Sequence, residues 1–309
     1  MGYRKNKDGI QEYYYNYSEK KSTIIQEDWF KGNGYKQNQY PDAFYKHVEN
    51  ELKPPMKAYW AMLIDGDGTL TDKYISIELT AREPIQYLAD LYGSSISLIQ
   101  YPNNDAWNDL YITKLTGKRF FHFIKFICPY ASEKKQHFIK IINKKEPNYH
   151  PPKIPMDFKK DPGQIITHMG MVAGLFDGEG SVGIKITIGK YKTKTMGTRI
   201  YSTLNQWIHF TNTNIRLLRK IKKILESWPF TFKPKIYTDK NKSLGKNGDL
   251  EKLTYKLGIP VPQQTLFMSL FSPLLMIKEK KQLDRFKALK MIDKRFFTSG
   301  KWKKKRKAS

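Results

Sequence analysis

The chain has 309 residues, enough for two domains of ordinary size, each able to bury a core. Its 55 Lys and Arg against 29 Asp and Glu give a net charge of +26, which points to a polyanionic partner, because neutralised phosphates release condensed counterions. The single cysteine, Cys128, excludes an internal disulfide framework and a cysteine-based zinc cluster, and no apolar run approaches the ~20 residues of a membrane span.

Residues 1–55 are polar and Tyr-rich, with a turn signal at Gly32-Asn33-Gly34 and a proline pair at Pro54-Pro55. They read as an extension ahead of the compact part, and their Tyr13, Tyr14, Tyr15, Lys20 and Lys21 are candidates for added contact with a polyanion. Residues 1–17 lack the apolar segment of a signal peptide. The excess of Lys over Arg, with much Ile, Asn, Tyr and Phe, suggests an AT-rich genome. The expected location is therefore an organelle, or the cytoplasm of a bacterium or phage host.

The stretch AMLIDGDGTLTD (61–72) has two readings. In one, an apolar strand delivers a nucleophilic aspartate, the Asp-x-Asp-Gly-Thr pattern of haloacid-dehalogenase-type phosphatases. In the other, an apolar helix ends in a carboxylate that holds a metal. Downstream, YISIEL predicts a strand with Ile75, Ile77 and Leu79 on the core face and Ser76, Glu78 and Thr80 outward. A helix follows, with Ile85, Leu88 and Leu91 as its buried stripe. Residues 95–101 and 106–115 predict a hairpin, and Glu133-Lys134-Lys135-Gln136 opens a final helix containing HFIKII.

Five prolines mark residues 143–163 as a linker between a first half, 56–142, and a second, 164–296; residues 297–309 are a basic tail. In the second half, MVAGLFDGEGSVGI (171–184) repeats the Asp-Gly-acid-Gly-Ser/Thr ending of 58–70. A strand then alternates Val182, Ile184, Ile186 and Ile188 against Ser181, Lys185 and Thr187. A turn carrying Lys190, Lys192 and Lys194 leads to a return strand with Arg199. Ile215, Leu218 and Ile221 repeat the helix stripe, residues 230–237 and 250–257 predict a second hairpin, and Glu279-Lys280-Lys281-Gln282 repeats the string at 133–136.

Four landmarks thus recur in one order, so each half reads helix, strands, helix, strands, helix, an α+β duplication. Fifteen residues lie between Gly68 and Pro84, against thirty-four between Gly180 and Ile215, so the first hairpin of the N-terminal half is truncated. The second motif favours the helical reading, since a phosphatase needs one such loop followed by alternating strand-helix units. Gly174 and Gly178 are four apart and share a helix face that admits a close neighbour. In the first copy the matching positions are Met62 and Gly66; Met62 stands where the pattern calls for something smaller, and Ala58, Ala61 and Gly66 supply the close contact with a small shift. Two such helices side by side would bring Asp67 and Glu179 together at their C-terminal ends. Like charges at the negative end of a helix dipole call for divalent cations, and Mg²⁺ suits carboxylates, water and phosphate oxygens. Asp65 is left as a helix-end residue without an assigned role.

WAMLIDGDG (60–68) and VAGLFDGEG (172–180) resemble the paired motifs of the two-motif LAGLIDADG homing endonucleases and related maturases, over roughly residues 56–292. The resemblance implies two pseudo-symmetric αββαββα repeats forming a saddle of antiparallel sheets. It implies a monomer that cuts both strands of double-stranded DNA at a long asymmetric site, using two or more Mg²⁺ ions at Asp67 and Glu179. Ser76, Glu78, Thr80, Lys185, Thr187, Lys190, Lys192, Lys194 and Arg199 are the expected DNA contacts. Basic residues stabilise the scissile phosphate in that family, which makes Lys134 and Lys280 candidates, with Lys278 beside the latter. The alternatives are a maturase holding intron RNA on the same fold, a DNA-binding module without catalysis, and the phosphatase.

Overall fold

A computed structural model describes residues 2–5, 11–14, 21–28, 42–101, 108–155, 161–193, 197–238 and 253–277. The chain divides into two compact units, Met1–Ile154 and Pro155–Ser309, with the division inside the proline-rich segment. Among the described residues no helix is long and apolar enough to cross a membrane.

Unit 1 begins with two short paired strands, β1 (Gly2–Lys5) and β2 (Gln11–Tyr14), followed by β3 (Lys21–Gln26) and helix α1 (Asp42–Glu51). Helix α2 (Pro54–Asp67) starts on two prolines, whose missing N–H groups cost nothing in a first turn. The chain continues through β4 (Thr69–Leu70), β5 (Tyr74–Leu79), α3 (Arg82–Tyr92), β6 (Ile96–Gln100), β7 (Leu110–Thr116), α4 (Gly117–Ile127) and α5 (Lys135–Asn143). One antiparallel sheet has the order β3-β6-β7-β5-β4. Its inner face, Ile75, Ile77 and Leu115, meets the fully buried Ile85 and Leu88 of α3 and Phe123 of α4. Each such side chain contributes roughly 1.5–3 kcal/mol by leaving water.

Unit 2 repeats the order with α6 (Gly163–Glu179), β8 (Gly180–Thr193), β9 (Gly197–Asn212), α7 (Ile215–Glu226), β10 (Lys235–Thr238), β11 (Tyr255–Gly258) and α8 (Val261–Phe271). Its antiparallel sheet has the order β10-β11-β9-β8. Phe176, Phe210, Phe232 and Phe267 form an edge-to-face aromatic core, with Phe176 and Phe210 centroids 5.1 Å apart, and Phe271 packs tilted against Phe267.

The α+β reading and the αββαββα order of each half hold, with three revisions. The helix that completes each repeat is α4 or α8, not the one opened by Glu-Lys-Lys-Gln. In unit 1 that string stands at the start of an additional helix, α5, with Lys134 as its N-cap; residues 279–282 lie outside the described residues. Of the N-terminal stretch, residues 21–28 and 42–52 belong to the folded unit rather than preceding it. β3 pairs with β6 along Lys21↔Gln100 to Gln26↔Ile96, and Val48 and Leu52 are fully buried. Arg119, buried, closes a bidentate ion pair on Asp28 at 2.8 and 3.3 Å and donates to the carbonyl of Gly93 at 3.0 Å. The predicted linker is also shorter than 143–163, because Tyr149 returns to unit 1, donating its N–H to Asn143 Oδ1 at 2.7 Å and its hydroxyl to the Lys125 carbonyl at 3.4 Å.

The truncated hairpin is as the spacing predicts. β4 pairs with β5 only at Thr69↔Ser76 and Leu70↔Ile75, whereas the β8–β9 ladder runs from Gly180↔Phe210 to Thr193↔Gly197. Thr71 closes the short turn by accepting the N–H of Tyr74 at 3.1 Å. Asp72, beside it, is held by Lys144 and by His137 of α5. The long ribbon continues as strand through Lys190 and Lys192, where the sequence predicted a turn.

Candidate functional site

The two motif helices end in the same way. Residues Ala58 to Asp65 of α2 are all buried, as are Gly170 to Asp177 of α6, which explains why both stretches are apolar on every side. At each exit a glycine turns the chain into a strand. Gly68 donates its N–H to the Ile64 carbonyl and Gly180 to that of Phe176, both with extended backbone. A Cβ would stand 2.7 Å from Ile64 Cγ2 at Gly68 and 2.3 Å from Phe176 Cδ2 at Gly180, so each position admits only glycine without a shift.

The first acid of each motif belongs to the fold. Asp65 is 2% exposed, and its carboxylate accepts the backbone N–H groups of Ser132, Glu133 and Lys134 at 2.5, 3.1 and 2.9 Å. It thereby satisfies three consecutive donors in the turn that leads into α5, the last of them at its N-cap Lys134. Burial pushes its carboxyl pKa up, against the opposing pull of those three donors. Asp177, 3% exposed, does the same in unit 2, accepting from Met276 and Ile277 at 2.7 and 3.1 Å. This removes the phosphatase reading. The stretch 61–67 is helix rather than strand, and the aspartate that would act as nucleophile is enclosed by backbone donors.

The second acid is the one presented at the surface. Asp67 is exposed and Glu179 half-buried, each the last residue of its helix. Glu179 Oε1 accepts Nδ2–H of Asn212, the last residue of β9, at 2.9 Å. Asn212 Oδ1 in turn accepts the N–H of Asn214 at 2.6 Å, and Asn214 caps α7. At the exit of α2, Lys134 Nζ donates to the carbonyls of Ile64 and Asp65, at 2.5 and 2.9 Å. A cation on these carbonyls offsets the helix dipole beside Asp67, an effect worth ~0.3–1 kcal/mol. Lys280 and Lys278 lie outside the described residues. The hydrogen bonds of the two aspartates nonetheless fix a register, matching Ser132 with Met276 and Glu133 with Ile277. The next residue is a lysine in both units, Lys134 and Lys278, so the repeated strings align the halves two residues out of step.

Of the expected DNA contacts, Glu78 and Thr80 are exposed, while Ser76 is 7% exposed and points its hydroxyl at Glu78 Oε1. Across the strand Ser76 pairs with Lys114, whose ammonium stands over the Tyr74 ring, 3.5 Å from its centroid. Lys185, Thr187, Lys190 and Lys192 are on β8 and Arg199 on β9; Lys194 lies outside the described residues. Arg199 pairs with Tyr191, in step with Lys185 and Thr187, whereas Lys190 and Lys192 occupy the alternate rungs. The indole of Trp207, unremarked in the sequence, lies on Gly183, where a Cβ would be 1.9 Å from the ring. Of the helix-packing residues, Ala61 and Gly174 are buried, Gly66 and Gly178 half-buried, and Met62 is fully buried.

Among the described residues no group of three or more His, Cys, Asp or Glu forms a ready metal cage. Each helix exit offers one hard carboxylate, the donor type Mg²⁺ takes, and such an ion completes its shell with water and phosphate oxygens. Among the described residues, an ion at either exit would have one protein carboxylate and take its other oxygens from water or phosphate. Asn212, Asp177 and Asp65 were missed by sequence reasoning; only the recurrence of Asp65 as Asp177 could have singled out the last two.

No family model matches the chain, and a search of the curated proteins finds no match. Among solved structures, the LAGLIDADG meganuclease I-CpaMI bound to uncleaved DNA is similar at 11% identity, over 80% of this chain and 96% of that one, with a TM-score of 0.48. The meganuclease I-AabMI bound to uncleaved DNA is similar at 14% identity over 77% and 91% (TM-score 0.45), and I-DmoI in complex with DNA and Mn at 15% over 71% and 96% (TM-score 0.36).

Proposed function

We infer that the protein is a site-specific DNA endonuclease of the LAGLIDADG kind, hydrolysing phosphodiester bonds on both strands with a divalent metal. The observation that carries this reading is the division of labour within each motif. The first acid, Asp65 or Asp177, is consumed by the fold, while the second, Asp67 or Glu179, is delivered by an identical glycine exit to the end of its helix. A carboxylate at that end of a helix dipole costs energy, and a position that keeps one in both copies has a use for its charge. The charge of +26 supplies the attraction for DNA.

In this reading Asp67 and Glu179 hold Mg²⁺, which supplies a water of lowered pKa and stabilises the leaving 3′ oxygen when bound. Asn212 orients the Glu179 carboxylate, Lys134 counters the carbonyl dipoles beside Asp67, and the β8–β9 ribbon lies in the major groove, lysines on phosphates. The protein acts as a monomer on a long asymmetric site. With Mg²⁺ it linearises a plasmid carrying the uninterrupted form of its insertion site. Asp67→Asn abolishes cleavage and leaves DNA binding intact; full cutting by the double variant Asp67→Asn, Glu179→Gln sinks the assignment.

A further inference from the structure

Helix α7 has two faces of opposite chemistry. Leu217, Leu218, Ile221, Ile224 and Leu225 are buried. On the other side Arg216, Arg219 and Lys223 are exposed, and Lys220 and Lys222 are half-buried. Within the helix the one acid is Glu226, which pairs with Lys222.

The duplication supplies an internal comparison. α3 is the same element of unit 1, and it buries Ile85, Leu88 and Leu91 in the same manner. Its outer face is nearly neutral and satisfies itself, Arg82 donating to Gln86 at 3.2 Å and Gln86 to Asp90 at 2.8 Å. This packing therefore does not require a basic outer face, and the five cations of α7 are an addition.

The face also lies apart from the surface assigned to the DNA groove. α7 covers the side of the sheet that carries the buried Ile208, Phe210 and Leu257. Ser181, Trp207 and Lys256 occupy the alternate register positions, on the opposite side. The stripe runs the length of α7, about 18 Å for twelve residues. At its first end is an open depression of about 440 Å³, lined by Thr213, Asn214, Ile215, Arg216, Leu253 and Tyr255. Two residues past its last turn stands Trp228, 51% exposed.

Cations in a row with an aromatic at each end suit a nucleic-acid strand, phosphates on the bases of the stripe and nucleobases on the rings. A bilayer is the poorer fit, because the apolar face that would enter it is already spent in the core. Splayed-out bases stacked on aromatic rings and Arg planes are the way proteins recognise the single-stranded loops and ends of RNA. We propose that the outer face of α7 is a second nucleic-acid surface, which takes single-stranded RNA with its phosphates along Arg216, Arg219 and Lys223 and its bases at the Tyr255 depression and on Trp228. This goes beyond the cleavage reading and does not depend on it.

The test uses the full-length protein, a fluorescent single-stranded RNA and a duplex DNA of equal length. Neutralising Arg216→Gln, Arg219→Gln and Lys223→Gln together should weaken RNA binding about 10- to 100-fold. The slope of log K against log salt should fall by about 2, given ~0.7 per phosphate contact on a single strand. Trp228→Ala should weaken RNA binding at least about fivefold, the lower bound for a stacked base. Duplex binding and the melting temperature should not change. On the wild-type protein, 4-thiouridine RNA should cross-link within residues 213–228 or 253–255. The proposal is overturned if duplex DNA competes fully for the RNA, if both ligands weaken together, or if cross-links fall elsewhere. It is likewise overturned if the triple variant loses binding to anionic phosphatidylserine vesicles but keeps RNA.

Discussion

Asn212 donates to Glu179 at 2.9 Å while accepting the N–H of Asn214 at 2.6 Å, so one side-chain amide ties the acid at the exit of α6 to the cap of α7. Two residues before the α3 cap, the same place in unit 1 holds Leu79, which has no donor to offer. The two halves therefore orient their surface acids by different means. Loss of an outer-shell partner typically costs 10–100-fold in metal affinity or activity. If Glu179 holds the metal as proposed, Asn212→Leu should raise the Mg²⁺ concentration for half-maximal cleavage by about that factor and let nicked circles accumulate ahead of linear product. A gel time course with a Mg²⁺ titration reads both, and equal slowing of the two strands at unchanged Mg²⁺ demand refutes the positioning role.

Asp65 and Asp177 should matter to stability as Asp67 does not. Asp65→Ala leaves three backbone N–H groups without their acceptor in a part-buried place, at a cost of about 2–4 kcal/mol. Asp177→Ala removes two such bonds and should cost somewhat less. Asp67→Ala, at an exposed helix end, should stay within about 0.5 kcal/mol. Urea unfolding of the three variants measures the order, and an Asp67 variant as unstable as Asp65→Ala contradicts it.

The Arg119–Asp28 pair makes residues 21–28 part of unit 1. Asp28→Ala strands a guanidinium that is almost fully enclosed, a loss of about 3–5 kcal/mol. Replacing both partners, Asp28→Leu with Arg119→Met, should recover most of that loss, since a buried pair contributes little over an apolar pair of similar volume. Denaturant midpoints of the single and double variants decide it; an additive double variant speaks against the coupling.

Burial lowers the His122 pKa to about 4, helped by the nearby Lys57 and Lys125. Tyr92 OH lies 3.3 Å from Nδ1, Glu49 Oε1 is 3.8 Å from Nε2, and the rings of Tyr45 and Phe126 enclose the imidazole. Below its ordinary pKa of 6.5 the unfolded chain takes up a proton that the folded one refuses. Stability is therefore full above pH 6.5 and falls as the pH drops toward 4, by about 3 kcal/mol at most. His122→Gln should flatten that part of the profile, leaving the slope from His168, whose pKa burial also lowers. Melting temperatures from pH 4 to 8 for both proteins test this.

Much of the architecture was legible because it depends on local periodicity. Ile85, Leu88 and Leu91 announce a buried helix face, and the residue count between Gly68 and Pro84 announces a shortened hairpin. What escaped depends on distant partners. Asp65 meets residues 67 to 69 positions away and Arg119 meets Asp28 at 91, and nothing in either neighbourhood names the partner. The repeated Glu-Lys-Lys-Gln string even misled, since identical letters stand two residues out of step with the hydrogen bonds that relate the halves. α4 and α8 were passed over because their sequences, GKRFFHFIKFI and VPQQTLFMSLF, share a shape rather than letters.

The separate duties of the two acids bear on how such a chain ages. If Asp67 and Glu179 carry the proposed cleavage, drift that erases either leaves every backbone bond of Asp65 and Asp177 in place, so that activity can be lost while the chain still folds. Drift at the inner pair weakens the scaffold itself and is selected against whatever the chain is used for. Descendants of this design are therefore expected to fall silent at the outer acid first, and to survive as binders that still carry the inner aspartates.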